Sequence, residues 1–448
     1  MFMGAGDCLI AAQPSIWRFN MKFVVTLVTA LFYSMFAAGS TPNDGLEMAV
    51  PESVGFSSER LQKITDFAQG QVARGEHAGV VTMVARHGKI VHFEAAGRYG
   101  VDDDRPMTTD ALFRIFSMTK PITSVALMML YEEGAFQMSD KVSKYLPQLG
   151  DLRIYSDGKI EEAGYEVTIE QLFTHTAGMT TTFRPDNPVD AMYEQAKLNW
   201  SPDLDAYIDA LAQLPLRYEP GTRYHYSAAT NVLGALIEKL SGKALDVFFK
   251  ERIFTPLGMN DTFFEVPEDK LLRLAGNHLW DPQDNRLIPA PVGMLPAYSN
   301  VTLFLGAGGL VSSAMDYMIF CDMLRRGGSY NGVRILGPKT VQYMTRNHLT
   351  PEVRNNGFNE FPESHLYPGQ WFGLGFGVML EPAISGVVTS QGEYSWGGIA
   401  DTKFIIDPEE DLIAIVMTQL VASPWPTQFR MKVATYQALT ALNAGQTP

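Results

Sequence analysis

Phe113-Arg-Ile-Phe-Ser117-Met-Thr-Lys120-Pro-Ile-Thr-Ser-Val-Ala-Leu-Met-Met-Leu-Tyr-Glu-Glu-Gly134 runs from an apolar approach into a helix. Val125, Leu127, Met128, Met129, Leu130 and Tyr131 predict a wide buried face, Glu132 and Glu133 reach for water, and Gly134 ends the run. Pro121 falls in the first turn, where a missing N–H is tolerated. Ser117 and Lys120 are three residues apart, so at a helix start both project from one face with the amine within reach of the hydroxyl. A serine hydroxyl is inert at neutral pH until a base accepts its proton, and a lysine beside a helix N-terminus and apolar packing can have its pKa lowered to serve as that base. The same residues also fit an N-cap serine followed by a surface lysine, and the spacing alone does not choose.

Working outward, 448 residues exceed what one hydrophobic core usually supports, so two domains, or one large domain with a big insertion, are expected. The chain is 46% hydrophobic and 19% charged, which excludes disordered, collagenous and multi-span membrane classes. A formal charge of -14 repels phosphate backbones, so nucleic acid is not an expected partner. The two cysteines, Cys8 and Cys321, cannot build a disulfide framework; Cys321, in the helical run Tyr317–Leu324, reads as a free core thiol. The eight histidines are scattered and no metal-ligand spacing occurs, so neither a metal nor an organic cofactor is expected.

Residues 21–39 have the pattern of a secretory signal: Met21-Lys22, an apolar run from Phe23 to Phe36, then Ala37-Ala38-Gly39. The segment 1–39 is therefore set apart as signal-like, with Met21 an alternative start, and a periplasmic or secreted enzyme without a membrane span in its mature chain is expected. A retained apolar helix on a cytoplasmic enzyme is the other reading.

Ser57-Ser58-Glu59 opens an amphipathic helix to about Val72, and Gly79–Arg86 with Lys89–Gly97 form a hairpin through His87-Gly88. From 139 to 296 the pattern is of helices (168–173, 203–214, 230–240) and long irregular segments, a mainly helical part inserted into an α/β part made of 50–138 and 297–440. Leu303–Ser313 returns to the sheet side, followed by a helix to about Arg325. Strands are expected at 374–380, 387–389, 402–407 and 412–418, with short spacers that favour antiparallel pairing, and a last helix at 427–442 packs beside the first.

Two further polar groups stand out. Tyr218-Glu-Pro-Gly-Thr-Arg-Tyr-His-Tyr226-Ser227-Ala228 brings aromatics to a loop just before a helix, where a tyrosine either packs or shares a serine's proton. Tyr394-Ser-Trp396-Gly397-Gly398-Ile399 joins a strand to a turn; its glycines allow a ligand close to the backbone, or mark a bulge beside a core tryptophan.

Taken together, Ser117-x-x-Lys120, Tyr226-Ser-Ala228 and Trp396-Gly-Gly398 resemble, in that order, the motifs of the penicillin-recognising serine hydrolases, and most closely the family VIII carboxylesterases. Leu172-Phe-Thr-His-Thr-Ala-Gly178, Pro256-Leu-Gly-Met259 and Gly306-Ala-Gly-Gly-Leu-Val-Ser312 match recurrent segments, and the resemblance covers most of 50–440. It implies a β-lactamase-like α+β fold: an antiparallel sheet flanked by N- and C-terminal helices, holding the helical part. It implies Ser117 as nucleophile, Lys120 and Tyr226 as its proton acceptors, and the N–H groups of Ser117 and Ile399 as an oxyanion hole, with Trp396, Gly397 and Gly398 beside a small-molecule ester. The pattern departs at Ala228, where β-lactamases carry Asn, and at Trp396, which replaces the Lys of their Lys-Thr-Gly. Losing that ammonium removes a partner for a β-lactam carboxylate and leaves an apolar wall suited to an ester. A β-lactamase, a D-alanyl-D-alanine carboxypeptidase, a transacylase and a penicillin-sensing binding protein are the alternatives. A Ser-His-Asp triad through His175 is set aside, because no Gly-x-Ser-x-Gly elbow occurs. Arg184, Asp186 and His278 are candidates for the pocket wall.

Overall fold

The protein is described by a computed structural model over residues 45–181, 186–295, 297–357 and 368–443; the signal-like segment, Cys8 and Arg184 lie outside these. Strands β1 (Glu47–Met48), β2 (Gly79–Arg86), β3 (Lys89–Gly100), β4 (Gln370–Phe372), β5 (Gly377–Met379), β6 (Tyr394–Gly397), β7 (Lys403–Asp407) and β8 (Leu412–Met417) form one sheet in the order β1-β3-β2-β8-β7-β6-β5-β4. Asp103–Pro106 adds to β3, and every pairing is antiparallel except β1 on β3. The expected hairpin is present: Arg86 faces Lys89, and His87 and Gly88 both take the positive φ that a two-residue turn requires, 52° and 70°.

The main helices are α1 (Ser58–Ala73), α2 (Thr119–Glu132), α3 (Ala229–Ser241), α4 (Ala314–Arg325) and α5 (Thr427–Tyr436). Ser57 caps α1 by accepting the Arg60 N–H at 3.2 Å. Helices α1 and α5 cover one face of the sheet and α4 the other. The uninterrupted apolar run of β8 follows from this, since both faces are dry. Leu412, Ala414 and Val416 join Leu61, Ile64 and Met431 in one core, while Ile413, Ile415 and Met417 join Phe320 and Tyr317 in the other.

Between residues 139 and 295 the chain carries several short helices and two small hairpins, Arg153–Ser156 with Lys159–Glu162 and His278–Asp281 with Arg286–Pro289. Helix Ile169–Phe173 starts at a capping box in which Thr168 and Gln171 satisfy each other's main-chain N–H groups. From Gly45 onward the chain forms one compact unit.

Several local expectations need correction. Leu303–Ser313 does not rejoin the large sheet; its last residues, Val311–Ser313, pair with Leu112–Arg114 in a separate two-stranded sheet. The 374–380 segment is a strand only at β5, with β4 added before it, and Val387–Thr389 is no strand at all. Tyr131 is exposed rather than buried. The last helix stops at Tyr436 because the chain then turns to pair with the start of α1: Ser57 donates to Ala438 O, and Thr440 to Gly55 O.

Buried Arg86 fastens these ends together. Its guanidinium donates to Val54 O at 3.0 Å, Ala441 O at 2.9 Å, and Glu410 O and Oε2 at 3.0 and 2.6 Å. Removing one partner of a buried ion pair leaves an uncompensated charge. Arg86→Ala is expected to lower unfolding free energy by about 3–5 kcal/mol, read from urea denaturation followed by tryptophan fluorescence; a loss below about 1 kcal/mol would contradict this role for the guanidinium.

Candidate active site

Ser117 lies on a short 3-10 turn, Phe116–Met118, and α2 proper begins at Thr119, so the serine precedes the helix rather than opening it. Phe116 takes φ +42°, a conformation that bulky residues rarely adopt and that costs about 1–3 kcal/mol. Neighbours hold the turn in place. Ile115 donates its N–H to Leu310 O at 3.1 Å, Leu310 donates to Thr119 Oγ1 at 3.2 Å, and the Tyr317 hydroxyl donates to Met118 O at 2.9 Å.

Three heteroatoms meet at this turn. Lys120 Nζ is 3.1 Å from Ser117 Oγ and donates to Ala307 O at 2.8 Å, and the Tyr226 hydroxyl donates to Ser117 Oγ at 2.7 Å. The lysine nitrogen also lies 4.5 Å from the centre of the Tyr226 ring. Among the described residues no carboxylate pairs with Lys120, and burial pushes its pKa down to about 7. Burial drives the Tyr226 phenol upward, against hydrogen bonds with Ser117 and Trp396. Near neutral pH the set therefore has a partly deprotonated amine and a protonated phenol.

The loop ahead of α3 brings Tyr226 in, and packing fixes it there. The rings of His175 and Trp396 lie 4.6 and 5.5 Å from it, and Phe372 touches both neighbours. His175 accepts the Ser227 N–H at Nδ1, 3.3 Å away, and accepts His225 N–H at its carbonyl. Burial, with Lys120 and His225 close by, holds its pKa well below the ordinary histidine value. Its ring packs against that of Tyr226. A Cβ on Gly178, at φ +78°, would stand 1.9 Å from Tyr218 O, so only glycine fits.

Two residues escaped the sequence reading. Ala307 supplies the carbonyl that holds Lys120, and Asn231, in the first turn of α3, fixes that loop by accepting the Ala307 N–H at 2.8 Å while donating to the Tyr207 hydroxyl at 2.9 Å. The only available signal was an amide side chain five residues after Tyr226.

The end of β6 flanks the serine turn. Trp396 is buried against Tyr226 and Phe372. A Cβ on Gly397 would meet Lys403 Cδ at 2.5 Å, and one on Gly398 would meet Ile115 O at 2.4 Å. Both glycines thus make room for the protein's own atoms, and Gly398 brings the next peptide alongside the Ser117 turn. Ile399 donates its N–H to no group among the described residues, whereas Gly398 and Asp401 donate theirs to Thr402 O and Gly398 O. A cleft of about 820 Å³ is walled in part by Arg114, Trp200, Tyr298, Leu303 and Leu305, and neither Ser117, Lys120 nor Tyr226 lines it. Of the other candidates, Asp186 is exposed, and His278 is buried with Nε2 accepting the Val101 N–H and Nδ1 at Gln419 O. Among the described residues no group of three His, Cys, Asp or Glu side chains could hold a metal ion, and no helix is long and apolar enough to cross a membrane.

Known proteins resemble this chain in sequence and in fold. Protein Rv1367c of Mycobacterium tuberculosis is 34% identical over 353 residues, 76% of this chain and 86% of its own length. Esterase EstB of Burkholderia gladioli is 27% identical over 361 residues, 76% of this chain and 85% of its own. Among solved structures, EstCE1, titled a hydrolase with promiscuous acyltransferase activity, superposes with a TM-score of 0.72 at 24% identity, covering 84% of this chain and 99% of that one. Simvastatin synthase LovD of Aspergillus terreus gives 0.74 at 23%, covering 85% and 98%. These two likenesses speak for the fold. The Beta-lactamase family model matches residues 64–436, a span that takes in the serine turn, the tyrosine loop and the β6 edge alike, and the chain belongs to that family of serine hydrolases.

Proposed function

We propose that the protein is a serine carboxylesterase of the family VIII type, hydrolysing small esters through an acyl-enzyme on Ser117. The observation that carries this is the meeting of Ser117 Oγ, Lys120 Nζ and Tyr226 OH within 3.1 Å of the serine oxygen, with the amine's pKa near 7. Once neutral, Lys120 has a lone pair for the Ser117 proton while an N–H stays on Ala307 O. The serine oxygen attacks the ester carbonyl, and the C–O bond of the tetrahedral adduct breaks. The departing alkoxide takes the proton from the lysine–tyrosine pair. Water then repeats the sequence on the acyl-enzyme, giving the acid and restoring Ser117. The Ser117 and Ile399 N–H groups receive the carbonyl oxygen as it becomes negative.

Esters are favoured over β-lactams because the β6 strand presents the Trp396 ring to the site where those enzymes carry an ammonium, and Ala228 has no amide to offer. EstB, an esterase by name, supports the same choice. The division into an α/β part, 50–138 with 297–440, and a helical part, 139–296, belongs to this reading, as does export of the mature enzyme.

Ser117→Ala is expected to lower kcat on p-nitrophenyl butyrate by about 10³-fold or more and to abolish labelling by a fluorophosphonate. Intact-mass analysis should find one adduct per chain, on Ser117; an adduct elsewhere would remove the serine from its role. Lys120 must lose its proton to act, so kcat/KM should rise with pH, with a midpoint near 7. His175→Gln should leave that midpoint in place, and a midpoint that vanishes in this variant would transfer the base to the histidine.

A further inference from the structure

The turn that carries Ile399 contains an expensive residue. Gly398 O accepts the Asp401 N–H at 3.0 Å, closing a four-residue turn, and Gly398 donates back to Thr402 O at 2.8 Å. Such a loop needs a left-handed residue in fourth place, which glycine fills at least cost. Here Asp401 fills it at φ +66°, with its side chain buried. Burying a carboxylate is costly unless it is paired. The pairing comes from behind the sheet: His77 Nε2 donates to Asp401 Oδ2 at 3.1 Å, and Thr427 Oγ1 donates to the same oxygen. Gln71 of α1 in turn donates to Thr427 Oγ1 at 3.3 Å. Burial alone would raise the Asp401 pKa; His77, Lys403 and Thr427 outweigh it and hold the group below its ordinary value, so it is a carboxylate.

The peptide between Gly398 and Ile399 is one rigid plane, in which the carbonyl and the N–H point in opposite directions. Fixing the Gly398 carbonyl on the Asp401 N–H therefore fixes the direction of the Ile399 N–H. The far side of the turn is pinned separately: Ile399 O accepts from Ala422 N–H, and Ala400 O from Leu420 N–H and the Thr418 hydroxyl. We infer that Asp401, anchored by His77 and Thr427, is a positioning residue that aims the Ile399 N–H at the oxyanion of the acyl-transfer reaction. This rests on the esterase reading above. It makes α1 and α5, on the opposite face of the sheet from Tyr226, part of the alignment of the site.

Asp401→Gly tests it, because glycine accepts the left-handed backbone while losing the anchor. The expected result is a fall in kcat on p-nitrophenyl butyrate of roughly 10-fold or more, with KM within about twofold. Inhibition by phenylboronic acid, whose serine adduct has a tetrahedral oxygen facing the same donor, should weaken in parallel. Asp401→Asn, which can still accept from His77 and Thr427, should recover most of both. Thr427→Val gives a second variant that leaves residue 401 untouched and should show a smaller loss of the same kind. Wild-type kcat and boronate inhibition in Asp401→Gly would overturn the inference. So would a loss in which kcat, KM and the melting midpoint fail together and Asp401→Asn restores nothing. A wild-type enzyme inert to both the ester and the boronate would instead bring down the esterase reading, and this inference with it.

Discussion

An amine with no carboxylate beside it among the described residues holds this site together. Lys120 Nζ is buried at the start of α2, with a carbonyl, a hydroxyl and an aromatic face around it. A carboxylate there would keep the amine protonated; bare burial lowers its pKa to about 7. The choice has a cost in stability. The unfolded chain would protonate this lysine up to its ordinary value near 10.5, so the penalty is full below about pH 7 and fades between those two values.

The surroundings exist to keep that amine dry and aimed. α2 packs on α3, Asn231 of α3 holds the loop bearing Ala307, and Ala307 holds the lysine. The aromatic group of His175, Tyr226, Phe372 and Trp396 fills the other side with rings, which exclude water without offering a charge. Replacing the ammonium of the β-lactamase pattern by Trp396 therefore fits the same requirement: a second cation here would push the Lys120 pKa lower still and would have to be buried in its turn.

Among the described residues, non-glycine residues in the left-handed region stand in each of the segments that meet at the site. Phe116, at φ +42°, stands before Ser117; His175, at +54°, lies under Tyr226; Asp401, at +66°, closes the Ile399 turn. Each conformation costs about 1–3 kcal/mol and survives only where the surroundings over-determine it. Leu310 and Tyr317 do so for the Phe116 turn, Ser227 and His225 for His175, and His77 with Thr427 for Asp401. Strain is thus spread over the three segments that must converge, each braced by a different part of the fold.

Much of this was legible in the residues. The amphipathic α1, the His87-Gly88 hairpin and the apolar run of β8 are local patterns, set by side-chain period and turn chemistry. Ser117, Lys120 and Tyr226 were legible because reactive side chains set in apolar or aromatic company contribute little to packing there. What could not be read was anything set by contact across the chain. The split of 303–313 into a loop and a short outlying strand, the loss of a strand at 387–389 and the early end of α5 depend on partners far away in the chain. Asn231 and Asp401 look like ordinary helix and turn residues until the loop and helix they meet are in place. Sequence alone decided which groups could react, since that follows from residue type and near spacing. Tertiary structure decided their distances, the dryness that lowers the lysine pKa and the direction of the Ile399 N–H, because each depends on atoms that only folding brings together.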